Sequence, residues 1–202
     1  MQETPALLLI DIQKAFDEHV RWGGNRNNPQ AEANAERLLL YWRAQGWPVV
    51  HIRHDSVVPG SIMAVGQVGN DFKDEVRPLT GEPIFSKSVN SAFIGTGLQT
   101  YLEGQGLHSL VIVGLTTDHC VSTTARMAGN LGFETYLVAD ATATFDKTGF
   151  DGQLYPAELV HQTALASLHS EFATVLNTEQ VVEMVVADAL LRNSKPTSVA
   201  EK

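Results

Sequence analysis

Three reactive side chains each follow a short apolar segment in this 202-residue chain. Asp11 follows Ala6–Ile10, Lys87 follows residues 83–86, and Cys120, which is the only cysteine, follows residues 110–113 after a turn. A thiol becomes a nucleophile when a base removes its proton, a carboxylate can be that base, and an ammonium stabilises the thiolate. Since 76 and 33 residues separate the three, only the fold can bring them together. The pattern predicts a cysteine nucleophile served by Asp11 and Lys87.

Each of the three residues also has a purely structural interpretation. Asp11 could cap a turn over residues 12–16, Lys87 could be a solvated loop charge, and a lone cysteine is often a small buried apolar residue. The residues after Cys120 are helix-forming until Gly132, a typical residue just past a helix end. Cys120 is therefore predicted at a helix N-terminus, where free N–H groups and the helix dipole favour a thiolate.

Strand and helix patterns alternate along the whole chain. Strands are predicted at residues 6–10, 48–54, 83–86, 110–113, 134–139 and 172–176. Helices are predicted at residues 31–45, 97–105, 120–131, 156–169 and 178–191, with Pro156 as a first helical residue. The alternation predicts a single α/β domain over residues 1–191, a doubly wound, mainly parallel six-stranded sheet with helices on both faces. The polar residues 192–202 are predicted to be a disordered tail.

Composition excludes several classes of function. The formal net charge is −9 and the basic residues are scattered, which argues against nucleic-acid binding. No apolar stretch approaches the ~20 residues that span a membrane, and the first residues do not resemble a signal peptide. One cysteine excludes an internal disulfide framework and favours a reducing compartment. We therefore expect a cytoplasmic protein with a small-molecule substrate.

Two long polar segments, residues 18–29 and 57–79, fit the alternation poorly. Irregular segments of α/β domains usually wall the ligand site beside the carboxyl ends of the strands. Residues 144–155 form a third such wall. In all three segments together acidic residues outnumber basic ones, which favours a neutral or cationic substrate over a dianion.

Three short segments resemble those of the isochorismatase-like cysteine hydrolases, a superfamily that includes nicotinamidases, N-carbamoylsarcosine amidohydrolase, ureidoacrylate hydrolases and isochorismatases. They are Leu-Ile-Asp11-Ile-Gln, Ser-Lys87-Ser-Val-Asn-Ser-Ala-Phe and Val-Gly-Leu-Thr-Thr-Asp-His-Cys120-Val. The resemblance extends over residues 5–177, and the third segment is the most specific. It implies the doubly wound fold already predicted from the alternation, and it implies catalytic Asp11, Lys87 and Cys120.

The resemblance also implies a mechanism. Asp11 would take the thiol proton while Cys120 attacks an amide or ureide carbonyl, and water would then hydrolyse the thioester. The oxyanion would lie on the backbone N–H groups of Thr116 and Cys120, beside a cis peptide bond between Leu115 and Thr116. Since vinyl-ether-cleaving isochorismatases lack the cysteine, C–N hydrolysis is favoured. Relatives assemble, so a homo-oligomer, either a dimer or a tetramer, is expected.

Candidate substrate-binding residues flank this set or lie in the irregular segments. They are Gln13, Phe16, Trp22, His54, Asn90, Phe93, His119 and Tyr155. His119 is expected to be a pocket or interface residue, and Asp118 a helix cap.

No cofactor and no metal are expected. Nicotinamidases bind a metal through an Asp-x-His motif and a later His, whereas this chain has His54-Asp55-Ser56 and no histidine again until His108. His51 and His54 are three apart on a strand and should point to opposite faces. Three alternatives to amide or ureide hydrolysis stay open: isochorismatase-type hydrolysis, lactam or ester hydrolysis on the same site, and a non-catalytic small-molecule-binding homologue.

Overall fold

A parallel sheet forms the centre of the protein in a computed structural model that describes residues 4–193. In this part of the chain there are eight strands: β1 (Ala6–Ile10), β2 (Val49–His54), β3 (Ile84–Lys87), β4 (Ser109–Leu115), β5 (Glu134–Ala143), β6 (Lys147–Thr148), β7 (Leu154–Tyr155) and β8 (Thr174–Leu176). Six of them pair in the order β3-β2-β1-β4-β5-β8, every pair parallel, while β6 and β7 form a separate antiparallel hairpin. The predicted doubly wound sheet is confirmed.

The helices cover both faces of this sheet because every central strand is apolar on both sides. They are α1 (His19–Trp22), α2 (Ala31–Gln45), α3 (Leu98–Gly104), α4 (Ser122–Asn130), α5 (Ala157–Leu168) and α6 (Thr178–Asn193). Leu7 and Leu9 of β1 pack against α2 and α6, whereas Leu8 and Ile10 pack in the cluster that contains α3, α4 and α5. Such double burial is why these strands read as continuous apolar runs.

Several element boundaries differ from the sequence prediction. Strand β3 ends one residue later, at Lys87, and β5 continues to Ala143. Pro156 precedes α5 as an extended residue with ψ 144°, so it is not the first helical residue as predicted. Helix α6 extends to Asn193, and the rest of the predicted tail, residues 194–202, lies outside the described residues.

The segment before α4 is a wide π-helical turn, Thr117–Val121, and α4 itself begins at Ser122. Cys120 therefore lies inside this turn, two residues before α4 begins. The sequence predicts it at the N-terminus of that helix. Asp118 is the second residue of this turn, whereas the residues that precede the turn and α4 are Thr116 and Val121; the Asp118 carboxylate accepts from the Thr144 hydroxyl at 2.5 Å. The predicted cap is wrong.

The strand order reverses direction between β1 and β4, which lie side by side at the centre of the sheet. Ligands of open α/β sheets bind in the crevice at the carboxyl ends of such a pair. Asp11 follows β1, and Thr116 and the π-helical turn follow β4, so the fold places them at this crevice. Among the described residues, no helix is both long enough and apolar enough to cross a membrane.

Candidate active site

A cavity of about 240 Å³ opens at the carboxyl ends of β1, β2 and β4. Its lining residues are Asp11, Phe16, Trp22, His54, Ser56, Ser61, Met63, Asn90, Thr116, His119, Cys120 and Lys147. The volume corresponds to that of roughly eight water molecules in the liquid, so the cavity suits a small substrate. Phe16, Trp22 and Met63 give it apolar walls.

Asp11 stands at the floor of this cavity because the chain turns sharply after β1. Its φ is 50°, a left-handed conformation that aspartate tolerates better than most residues, and its N–H donates to the Ile52 carbonyl at 3.0 Å. Gly114 of β4 lies beside it. A side chain there would come within 2.1 Å of the Ile10 carbonyl oxygen, so only glycine lets the two strands approach this closely.

Lys87 reaches Asp11 across the end of β2. Its Nζ lies 2.6 Å from Asp11 Oδ2, and both side chains are fully buried. Burial raises the pKa of Asp11, and the Lys87 ammonium opposes this change. The other carboxylate oxygen, Oδ1, is buried without a hydrogen-bond partner. One oxygen is thus held by the lysine, and the other is free to accept a proton.

The Cys120 thiol lines the cavity beside this pair. Sγ lies within 4.8 Å of an Asp11 carboxylate oxygen and 3.9 Å from Asn90 Oδ1. Burial, followed by the negative charge of Asp11, raises the pKa of Cys120 to about 12. The sequence-based expectation of a thiolate favoured by a helix N-terminus took no account of this burial, which favours the protonated thiol.

His54 closes the floor on the side of β2. Its Nδ1 lies 3.3 Å from Lys87 Nζ, and burial, together with the Lys87 charge, lowers its pKa, so the ring is neutral at neutral pH. Gln13 fixes its backbone in both directions: the side-chain amide donates to the His54 carbonyl at 3.1 Å, and the amide oxygen accepts from the His54 N–H at 2.9 Å.

The peptide bond between Leu115 and Thr116 is cis, as the resemblance implied. The carbonyl of Thr116 accepts from the N–H groups of His119 and Val121 at 3.1 and 3.3 Å, which folds the π-helical turn back over the end of β4. Thr116 and Cys120 both line the cavity as a result.

Five of the eight predicted substrate-binding residues line the cavity: Phe16, Trp22, His54, Asn90 and His119. Three do not. Gln13 is fully buried behind His54, the Phe93 ring stacks on Phe133 with the centroids 5.7 Å apart, and Tyr155 pairs with Lys147 in the β6–β7 hairpin. Proximity in sequence to the reactive residues suggested the first two, but their side chains point away from the cavity.

Sequence reasoning missed four lining residues, which are Ser56, Ser61, Met63 and Lys147. All four lie in or next to the segments predicted to wall the site. The segments were therefore identifiable from their irregular composition, whereas the inward-facing residues within them were not.

A buried ionic cluster ties two of these walls to α2. Glu32 accepts from both guanidinium nitrogens of Arg26 at 2.8 and 2.6 Å and from Lys73 at 2.7 Å. Lys73 also donates to Asp17 at 2.6 Å, and the Trp22 indole donates to the Ala15 carbonyl at 2.8 Å. The segments that carry Trp22 and Met63 therefore share one anchor.

The reactive cluster also contains potential metal ligands. Within the described residues, one group offers three donor atoms within 4.8 Å of one another: Asp11, His54 and Cys120. A cation there would have to displace the thiol proton and lie beside the Lys87 ammonium, so the geometry suits proton transfer better than metal binding. His51 cannot join this group, because it is buried elsewhere with Nε2 2.8 Å from Glu82.

Comparison with known proteins shows which family the chain is similar to. The Isochorismatase domain model matches residues 5–180. The isochorismatase family protein YrdC of Bacillus subtilis is 47% identical over 182 residues, which cover 90% of this chain and 96% of that protein. Ureidoacrylate amidohydrolase RutB of Klebsiella pneumoniae is 26% identical and covers 88% of this chain and 85% of its own length. A crystal structure of an isochorismatase-family protein from Chromobacterium violaceum is 46% identical, with a TM-score of 0.89, and covers 92% of this chain and 95% of its own.

Proposed function

Because the chain belongs to the isochorismatase family of hydrolases, we propose that it hydrolyses a C–N bond of a small amide, ureide or carbamoyl compound through a thioester on Cys120. The observation that carries the proposal is the buried Asp11–Lys87 pair beside the Cys120 thiol at the floor of a small cavity. The relative named ureidoacrylate amidohydrolase is consistent with this class of reaction.

In the first step, Sγ attacks the carbonyl carbon as its proton passes to Asp11. Oδ1 is the acceptor, since Oδ2 is held by Lys87 and Oδ1 has no partner. The high pKa of Cys120 requires proton transfer to accompany attack, and the raised pKa of Asp11 makes it a stronger base than a solvated carboxylate.

The carbonyl oxygen gains negative charge in this step. The backbone N–H groups of Thr116 and Cys120 would stabilise it, and one such donor contributes ~3 kcal/mol to the transition state in comparable enzymes. Asp11 then returns the proton to the nitrogen as the C–N bond breaks, which releases ammonia or an amine and leaves the thioester.

Water completes the cycle. It attacks the thioester carbonyl while Asp11 takes one of its protons, the C–S bond breaks, and the proton returns to Sγ. The products are the acid and the free thiol. His54, neutral and within reach of the same cluster, would help to orient the substrate or the water.

A colorimetric ammonia assay on small primary amides and ureides tests the proposal. Cys120→Ala and Asp11→Asn should each lower turnover by at least about 10³-fold, because each removes a group that forms or breaks a bond in the reaction. Matched purified variants that fold normally by circular dichroism are needed for the comparison. Near-normal turnover by Cys120→Ala would refute the thioester mechanism, and activity on lactams or esters alone would favour that alternative.

Assembly and compartment are not needed for this chemistry and stay predictions. Val20, an apolar residue whose side chain is almost fully exposed, lies in the segment 18–29 and favours a subunit contact there. A homo-oligomer in the cytoplasm is therefore still proposed.

A further inference from the structure

The charged side chains of the cavity wall indicate which substrates the site accepts. The irregular segments around the cavity contain five basic residues and a larger number of acidic ones. None of the acidic residues of these segments lines the cavity, and of the basic ones only Lys147 does. The count of charges along the sequence predicts acidic cavity walls, whereas among the described residues the only charged wall residue that lines the cavity is basic.

The four other basic residues are engaged elsewhere. They form ion pairs, Arg21 with Glu18, Arg26 with Glu32, Lys73 with Asp17 and Glu32, and Arg77 with Asp74. Some of the acidic wall residues are engaged as well. The Asp74 carboxylate pairs with Arg77, and Asp146 accepts from the Ala157 N–H at 2.7 Å at the start of α5.

The ammonium of Lys147 is only loosely neutralised. Its nearest carboxylate is Asp118, with Nζ 3.5 Å from Oδ2, which is longer than the 2.7–2.9 Å of a charge-assisted hydrogen bond. The same Oδ2 lies 3.4 Å from His119 Nε2, and Oδ1 already accepts from Thr144. Asp118 is thus shared among three partners, so the donors of Lys147 remain available to an incoming anion.

The backbone holds Lys147 in place. Lys147 pairs with Tyr155 in the β6–β7 hairpin, Phe145 is fully buried, and the Asp146 N–H donates to the Asn25 carbonyl at 3.0 Å. Lys147 therefore lines the cavity from a fixed backbone segment, which limits the loop entropy lost when a ligand binds.

The floor of the cavity does not compete for an anion. Lys87 is neutralised by Asp11 at 2.6 Å, and His54 is uncharged. The cavity therefore has the proposed nucleophile Cys120 at one place and a positive charge at Lys147 in its wall. Apolar side chains, those of Phe16, Trp22 and Met63, line it as well.

We propose that Lys147 is a specificity-determining residue that selects substrates carrying a carboxylate, so that the substrate is a small carboxylated amide or ureide. This inference rests on the proposed function, since it names the substrate class of the same site. It departs from the neutral or cationic substrate that the sequence favoured.

Two matched series of compounds test it. Succinamic acid, pentanamide and 4-aminobutanamide are primary amides of similar length that end in a carboxylate, a methyl group and an ammonium. The second series consists of ureides with the same three terminal groups: N-carbamoylglycine, propylurea and 2-aminoethylurea. We expect the carboxylated member of at least one series to have a kcat/KM at least tenfold above that of its methyl-ended counterpart.

Variants of Lys147 identify the cause of this preference. Lys147→Met should lower the ratio of carboxylated to methyl-ended kcat/KM at least tenfold, mainly through KM, and Lys147→Glu should shift the preference towards the ammonium-ended compound. Lys14→Met is the matched control, because Lys14 is similarly exposed (31% against 28% for the side chain) and pairs with Asp74 outside the cavity. It should leave the ratio unchanged.

Calorimetric binding to Cys120→Ala separates this inference from the proposed reaction. Selective binding of a carboxylated member that Lys147→Met abolishes supports the inference, even if the wild type hydrolyses none of the compounds and the proposed reaction fails. Equal binding of the three ends, or binding of no carboxylated member of either series, would overturn it. So would an unchanged ratio in Lys147→Met.

Discussion

Glu32 offers a quantitative test of how the walls of the cavity are held. Its side chain is 12% exposed and pairs with Arg26 and Lys73, and together these partners lower its pKa from 4.5 to about 2 against the opposing effect of burial. Glu32→Gln removes the charge and leaves Arg26, which is also buried, without an anionic partner. We expect this substitution to loosen two wall segments at once.

The magnitude follows from linkage. A pKa that falls from 4.5 to about 2 on folding corresponds to about 3 kcal/mol, at ~1.4 kcal/mol for each tenfold change. Removing one partner of a buried ion pair costs about 3–5 kcal/mol in other proteins. The two estimates agree, so Glu32→Gln should lower the free energy of unfolding at pH 7 by about 3 kcal/mol.

The pH dependence has a definite sign. Because the folded pKa is the lower one, the contribution is complete above the unfolded value of 4.5 and is lost as the pH falls towards 2. The difference between wild type and Glu32→Gln should therefore be constant from pH 6 to 8, about 1.4 kcal/mol at pH 3, and smaller still at lower pH.

Urea unfolding followed by tryptophan fluorescence at pH 7 and pH 3 measures both quantities. The control is Glu179→Gln, since Glu179 pairs with Arg37 at 2.7 Å but is 61% exposed, and such surface pairs contribute about 0–1 kcal/mol. If Glu32→Gln were no less stable than Glu179→Gln, or if its deficit were the same at pH 3 as at pH 7, the assignment of the low pKa to this cluster would be refuted.

Two further predictions concern the reactive centre. Asp11→Asn should lower the pKa of Cys120 below about 12, since the Asp11 charge raises it. Alkylation by iodoacetamide at pH 9, followed by mass spectrometry, should therefore be faster in this variant, although turnover is lost. Alkylation no faster than in the wild type would contradict this. Gly114→Ala should lower the free energy of unfolding by about 3–5 kcal/mol, because φ is 128° and the new methyl group would clash with the Ile10 carbonyl. Gly132→Ala, where φ is 87° and no atom lies close to the new methyl group, should lower it by about 1 kcal/mol. Equal urea midpoints for the two alanine variants would show that the close approach of β1 and β4 is not needed.

The central strands were predictable because parallel strands buried on both faces are apolar throughout. The prediction of β1 was exact, whereas β5 was cut short because Asp140 and Thr142 interrupt its apolar run. In the structure Thr142 and Ala143 pair with Gly114 and Leu115 of β4 beyond a shift in register, so contact with the neighbouring strand decides where β5 ends. Sequence periodicity does not contain that contact.

The residues of the site were predictable to different degrees. Asp11, Lys87 and Cys120 have unusual side chains at strand ends, and the sheet topology brings them together as expected. The orientation of wall residues depends on loop conformations that no short sequence pattern specifies. Gln13 and Phe93 therefore turned out to face away from the cavity, and Lys147 was recognised only as one charge among many.

The protonation state of Cys120 shows why local rules were insufficient at the centre of the site. A helix N-terminus lowers a thiol pKa by a modest amount, whereas burial beside a carboxylate raises it, and here the second effect dominates because Asp11 and the half-buried Cys120 line the same cavity. Because burial favours the thiol over the thiolate, it lowers the reactivity of Cys120 towards oxidants and electrophiles. In the mechanism we propose, Cys120 becomes nucleophilic only when a carbonyl carbon is positioned to bond with sulfur as Asp11 takes the proton. The pair of groups therefore couples the reactivity of the single cysteine to the presence of substrate, which a preformed thiolate would not do.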